Sequence, residues 1–187
     1  MEVTPATLEE VGPDVLIVAT GAVPLVPDIP GAKKGHVVIS WDVLAGRAEC
    51  GEVVAVVGGG TVGFEVADFL AEKGKSVTVL EMLPEIARDI EPRAKYFFRK
   101  RNKGRTRFIT NVKVTEILED GLRYMNRGWE TAKLPADTVV LALGSARNGS
   151  LDALSGEGCE TYLVGDSLKP RKLLEAVHDA ARVALEI

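Results

Sequence analysis

Apolar positions along the chain follow two periods. Residues 14–19, 53–57, 77–80 and 138–143 are short, nearly unbroken apolar runs, closed by Thr20-Gly21, Gly58, Glu81 and Gly144 in turn. Runs of this length, apolar on both faces, predict strands of a parallel sheet covered on both sides. A helical period follows at Val62, Val66, Phe69 and Leu70 and ends at Lys73-Gly74, a basic last turn with a glycine cap. Pro92 is placed to open a second helix, over 92–103, that carries Tyr96, Phe97 and Phe98. A third helix follows Pro170, with Leu173, Leu174, Val177, Ala180, Ala181, Ala184 and Leu185 on one broad face that needs a cover. Segments 112–118, 122–125 and 130–134 are shorter and alternate, separated by Asp120-Gly121 and Asn126-Arg127-Gly128, which predicts an antiparallel meander.

The remaining stretches are less patterned. Residues 37–39 and 161–164 predict short strands, 107–110 a further parallel strand, and 41–45 a helical turn capped by Ser40 or Asp42. Residues 7–11 are expected only to lead into the first strand, and 24–31, with three prolines, to cross between sheets. The first strand and the strand at 161–164 are expected to meet in a second sheet that is short of partners.

The run at 53–57 breaks off at Gly58-Gly59-Gly60 and a helix follows, so Gly58, Gly60 and Gly63 complete G-x-G-x-x-G between strand and helix. The first glycine allows the turn, the second admits a pyrophosphate to the backbone, and the third lets helix and strand pack closely. The helix N-terminus offers unpaired N–H groups and a positive dipole end to the phosphates. Glu81 ends the next strand about twenty residues on, where a carboxylate can accept both hydroxyls of an adenosine ribose. The elements therefore predict an α/β fold with a Rossmann-like NAD(P)-binding domain at 46–145, a parallel sheet with helices plus the small meander. Residues 1–45 and 146–187 flank it as a separate piece.

Composition narrows the function classes. The 187 residues carry a net charge of −4, with 46% hydrophobic and 27% charged residues, which is ordinary for a globular protein and points away from nucleic acid. No apolar run approaches the roughly twenty residues of a spanning helix, and residues 1–5 lack signal-peptide character, so the expectation is a cytoplasmic chain with no membrane partner. The segment from Lys95 to Arg107 is the exception in charge, and reads as a solvated face or as a docking face for an acidic partner. Cys50 and Cys159 are far apart with no C-x-x-C, and His36 and His178 stand alone, so neither redox-disulfide chemistry nor a metal site is expected. No arrangement of nucleophile and base competes for a catalytic role.

Ala19-Thr20-Gly21, Gly58 to Glu65, Glu81-Met82-Leu83-Pro84, Ala142-Leu143-Gly144-Ser145 and Val164-Gly165-Asp166 occur in the order found in flavoproteins with two dinucleotide-binding domains. The wording resembles the C-terminal region of the NADH:flavin oxidoreductase group, which includes 2,4-dienoyl-CoA reductase, enoate reductases and trimethylamine dehydrogenase. The resemblance implies that Gly58, Gly60, Thr61, Val62 and Gly63 hold the NADH pyrophosphate, with Glu65 near the nicotinamide half, Glu81 on the ribose, Val114 beside the adenine and Gly144 bordering the nucleotide. It implies that Thr20, Gly21, Gly165 and Asp166 belong to part of an FAD site, so that 1–45 and 146–187 would be a partial flavin domain.

In that group a second glycine motif, a (β/α)₈ barrel and an iron–sulfur cysteine cluster accompany this region, and none is present here. Arg147 also stands where the group often has proline. The chain is therefore expected to be a fragment, natural or engineered, that docks NADH in preference to NADPH for hydride transfer to an FAD bound only in the full-length context, with the flavin-domain and barrel regions of a parent enzyme as partners. The alternative is a non-catalytic nucleotide-binding or interaction module, self-associating through its incomplete second sheet; a glycine turn with an acidic ribose ligand also occurs in Rossmann-like methyltransferases. The final substrate is not legible.

Overall fold

The computed structural model describes residues 3–88, 90–154 and 158–187. Its helices and strands, in chain order, are α1 (Pro5–Val11), β1 (Val15–Val18), β2 (Ala22–Pro24), β3 (Val37–Ile39), α2 (Ser40–Leu44), β4 (Val53–Val57), α3 (Thr61–Glu72), β5 (Ser76–Leu80), α4 (Pro92–Arg101), β6 (Thr106–Ile109), β7 (Val112–Leu118), β8 (Gly121–Asn126), β9 (Thr131–Pro135), β10 (Thr138–Leu141), β11 (Ser145–Arg147), β12 (Glu160–Leu163) and α5 (Leu173–Glu186). The chain divides into two compact units, Pro24–Gly144 and the pair Met1–Val23 with Ser145–Ile187.

In the first of these units, five parallel strands run in the order β3-β10-β4-β5-β6. Strand side chains alternate in direction, and the two faces of this sheet have different covers. Ala55, Val57, Val139 and Leu141 pack with Val112, Val114, Ile117 and Leu122 of the meander β7-β8-β9. Val54, Val56 and Val140 pack with Val43 of α2 and with Val66, Ala67, Leu70 and Ala71 of α3. Both sides of β4 and β10 are thus buried, which is why their sequences show no polar alternation. The expected meander, parallel strands and glycine-led helix are all found.

Helix α4 sits on α3 through aromatic stacking. Phe98 lies 4.5 Å from the buried Phe64 ring, and Phe108 of β6 is 5.6 Å from it on another side. Asp68, 8% exposed, ties the same junction by accepting from Asn102 Nδ2 at 2.6 Å and from Arg101 Nε at 3.0 Å. The helix begins at Pro92 as expected but ends at Arg101, two residues early, because Asn102 bonds back to the Phe98 carbonyl and closes the turn.

In the other unit β1 and β12 form a two-stranded parallel sheet, and β2 pairs with β11. The expected meeting of the first and last long strands is found. The expectation that β1 is covered on both faces is not: Ile17 is 46% exposed, because a two-stranded sheet cannot bury both sides of its strands. Residues 7–11, expected to be a plain lead, lie in α1, whose capping box at Thr4 and Thr7, Pro5 at its start and left-handed Gly12 at its end supply both boundaries. Nor do Ser40 or Asp42 cap α2; Ile39 holds the N-cap position without a side-chain bond, since Ser40 is already the first helical residue.

Helix α5 forms as expected, but its inward side differs from the apolar face read from the sequence. Asp179 and Val183 are its buried residues, while Leu173, Leu174, Val177 and Leu185 are exposed. The cause is polar: Asp179 accepts from Gly165 N at 3.2 Å and pairs with Arg171, which fixes that side against the turn after β12. Among the described residues no helix is long and apolar enough to cross a membrane.

Candidate nucleotide site

The C-terminal ends of β4, β5 and β10 converge on the glycine turn. Ala142 N, after β10, donates to Val57 O at 2.9 Å, and Gly58 N donates to Leu80 O at 2.9 Å, so the three strand ends are locked together. At Gly58 φ is +104°, and a Cβ there would lie 2.4 Å from Ala142 O; both the conformation and the space demand glycine. At Gly63 a Cβ would fall 1.9 Å from Gly58 O, so the first turn of α3 lies directly on the strand end. Gly60 differs: its φ is −68°, nothing among the described residues lies within 4 Å of where a Cβ would stand, and as the N-cap of α3 it has no side chain to cap the helix. It leaves open space at a helix N-terminus, which is the geometry of an anion cradle.

Glu81 is bound into this turn rather than projecting freely. Its Oε2 accepts from Gly59 N at 2.6 Å and its Oε1 from Leu83 N at 2.7 Å. At the other end of the same residue, Ala87 N donates to Gly59 O at 2.6 Å, with Ala87 in the left-handed region at φ 49°. Gly59 is thereby held from both sides. A carboxylate has about four acceptor positions, so each Glu81 oxygen keeps one for a further donor.

A cleft of about 370 Å³ opens beside the turn, lined by Val57, Gly58, Leu80, Glu81, Met82, Val112, Lys113, Val114, Leu143 and the segment Pro27, Asp28 and Ile29. It is mostly apolar, with Asp28, Glu81 and Lys113 as its charged residues, the composition of a small-molecule site at strand C-termini. A second hollow of about 400 Å³ takes in Gly59, Gly60, Glu81, Leu83, Glu85, Ala87 and Arg88. The Lys95 ammonium bonds Glu85 at 2.5 Å and holds its carboxyl below the usual range, so that acid stays ionised beside the hollow.

Of the residues singled out in the sequence, Gly58, Glu81 and Val114 meet in the cleft, and Gly60 joins Glu81 in the hollow. Thr61 and Val62 start α3, with Val62 packed toward the core; Glu65 is exposed on the next turn and lines neither space. Gly144 follows β10, exposed, at φ +90°, and its carbonyl accepts from Leu25 N at 3.0 Å. Leu143, Lys113, Arg88 and residues 27–29 were missed. Leu143 was findable as the last apolar residue of a parallel strand; Arg88 and residues 27–29 come from loops, which leave no periodic trace, and Lys113 from the meander, whose alternation gives its strands but not their place over the sheet.

In the other unit, Thr20-Gly21 and Gly165-Asp166 follow the paired strands β1 and β12, and Ser167 Oγ joins them by donating to Val18 O at 2.7 Å. Their polar groups have local partners: Thr20 Oγ1 donates to Asn148 O at 2.9 Å, Gly21 O accepts from Asn148 N at 2.9 Å, and Asp166 Oδ1 accepts from Arg171 N at 3.0 Å. Arg147 has found its own role, forking onto Asp152 with two bonds of 2.6 Å and lowering that carboxyl's pKa. Cys50 is half-buried, and burial raises its thiol pKa despite Lys75 and Lys73 nearby. Among the described residues no group of His, Cys, Asp and Glu could hold a metal ion.

A parallel sheet with a glycine turn leading into a helix, and an acidic residue at the end of the next strand, defines a dinucleotide-binding protein of the Rossmann type. Residues 2–168 match the model of the pyridine nucleotide-disulphide oxidoreductase family, and the chain belongs to that family. It is 35% identical over 202 residues to a metal reductase of Desulforamulus reducens, covering 91% of this chain and 30% of that protein. It is 37% identical over 188 residues to an NADH oxidase of Thermoanaerobacter brockii, covering 97% and 29%. The solved 2-naphthoyl-CoA reductase, in complex with 2-naphthoyl-CoA, matches all of this chain and 29% of its own length, with a TM-score of 0.89 and 32% identity. The chain thus spans about 30% of the length of these relatives, which fall in the flavoprotein group the sequence resembles. NAD(P)H and FAD are the cofactors of the family.

Proposed function

We propose that this chain docks NADH and presents it for hydride transfer to FAD, as part of a flavin-dependent oxidoreductase of the dienoyl-CoA or enoate reductase type. The observation that carries this reading is the glycine turn with open space at Gly60, flanked by Glu81 at the edge of a 370 Å³ cleft. Bound NADH would supply the hydride; the chain's work is to bind and orient it. Gly58, Gly60, Thr61, Val62 and Gly63 hold the pyrophosphate against the N-terminus of α3, Glu81 takes the ribose hydroxyls, and Val114 and Leu143 give the adenine side an apolar wall. Glu65 lies toward the nicotinamide half, and Gly144 borders the nucleotide. Thr20, Gly21, Gly165 and Asp166 contribute to the FAD site.

Preference for NADH follows from Glu81. Its carboxylate is pinned by two N–H donors at 2.6 and 2.7 Å and cannot swing aside, so a 2′-phosphate would meet a fixed negative charge. Titration of the chain with both nucleotides tests this: NADH binds at least tenfold tighter, and Glu81→Ala weakens NADH while narrowing the difference. NADPH binding as tightly as NADH would remove the claim. A second reading, an interaction module without redox work, draws on the exposed apolar residues of α5 and β1. A monomeric mass independent of concentration speaks against its self-associating form.

A further inference from the structure

We infer that the outer face of α4 and the turn after it form a docking surface for a separate acidic protein. Residues 93–107 hold eight basic residues and no acidic one. The rest of the chain then carries 15 basic against 27 acidic residues, a net −12, so the positive charge is concentrated on one element of an otherwise acidic molecule. Lys95 and Arg101 are used internally, on Glu85 and on Asp68 with Glu72. Arg93, Arg99, Lys100, Lys103, Arg105 and Arg107 make no ion pair within 4 Å among the described residues, Arg99 acting on Glu85 only at longer range, and all six are exposed.

Two large aromatics lie among these cations. Tyr96 is 60% and Phe97 65% exposed, and their rings meet edge to face at 5.5 Å. At 100° per residue, Arg93, Tyr96, Phe97 and Lys100 share one side of the helix, opposite Phe98, which stacks on Phe64. No residue of α4 is buried. Arg with Tyr and Phe on a rigid helix is the composition of a protein-binding hot spot, the rings entering the partner and the cations meeting its carboxylates.

Charge selects the partner class. Screening confines each charge to about 8 Å at physiological salt, so a compact acidic protein senses the patch alone. An extended polyanion, such as an anionic bilayer or a nucleic acid, would also lie against surfaces of a net −12 remainder. The observations therefore favour an acidic protein segment bearing apolar side chains.

The test is fluorescence anisotropy of the 187-residue chain with a short synthetic peptide in which Glu and Asp alternate with Leu and Phe. Its Gln/Asn counterpart, phosphatidylglycerol vesicles and a single-stranded oligonucleotide are the other arms. The acidic peptide binds, weakens with added salt, and binds better than the three alternatives. Arg93→Gln with Lys100→Gln weakens it roughly tenfold, and Tyr96→Ser with Phe97→Ser about thirtyfold. Both double variants bind NADH as the parent does, since none of the four residues lines the nucleotide cleft. No peptide binding, peptide binding indifferent to both double variants, or tighter binding to vesicles or oligonucleotide would each overturn the inference.

Discussion

Three glycines of one motif do three different things, and substitution separates them. Gly63→Ala drives a Cβ to 1.9 Å from Gly58 O, a backbone atom that cannot yield. The cost is about 1–3 kcal/mol of stability, read as a lower denaturant midpoint, with nucleotide binding lost alongside. Gly60→Ala meets nothing within 4 Å and has an ordinary φ of −68°. It should keep stability within about 0.5 kcal/mol and still lose tenfold or more in NADH affinity, because the methyl occupies the space the pyrophosphate needs. Equal loss of stability at both positions would mean that Gly60 is structural. Glu81 holds Gly59 N, and in the proposed function it also takes the ribose; the sequence spacing pointed only to the second of these. Spacing locates a carboxylate near the turn but does not say what else it bonds.

At the scale of elements, the junction of α3, α4 and β6 depends on Phe64, 1% exposed, stacked on Phe98 and tilted against Phe108. Phe64→Ala should cost about 3–5 kcal/mol, checked by chemical denaturation, and α4 should lose protection from hydrogen exchange before β4 and β5 do. Strands with both faces buried, and the helix between glycines 60 and 74, were legible because burial imposes their periods. The inward side of α5 was not. There a single buried carboxylate, Asp179, outweighs four apolar side chains in setting the orientation, and hydrophobic pattern has no means of weighing a buried ion pair. Helix α1 was readable in principle from Thr4-Pro5 and Gly12, but seven residues are too few for periodicity to outweigh the acidic composition.

For the whole molecule, the family, the α/β class and the meander were all within reach of the sequence, since each rests on local signals in a fixed order. The cleft was only half legible: its strand-end residues follow from topology, whereas Lys113, Arg88 and residues 27–29 come from segments whose placement is decided by tertiary packing. Both compact units have the form of sites built at the ends of parallel strands, and among the described residues the glycine-turn unit brings an open cradle and a lined cleft together. In the other, the polar groups of Thr20, Gly21 and Asp166 are engaged by Asn148 and Arg171. Nucleotide binding by this chain should therefore not require added flavin. Titration of the 187-residue chain with NADH, with and without FAD, followed by isothermal calorimetry, tests this most directly. Saturable one-to-one binding with a dissociation constant unchanged by FAD is the predicted result, and no heat of binding at millimolar NADH in either condition would contradict it.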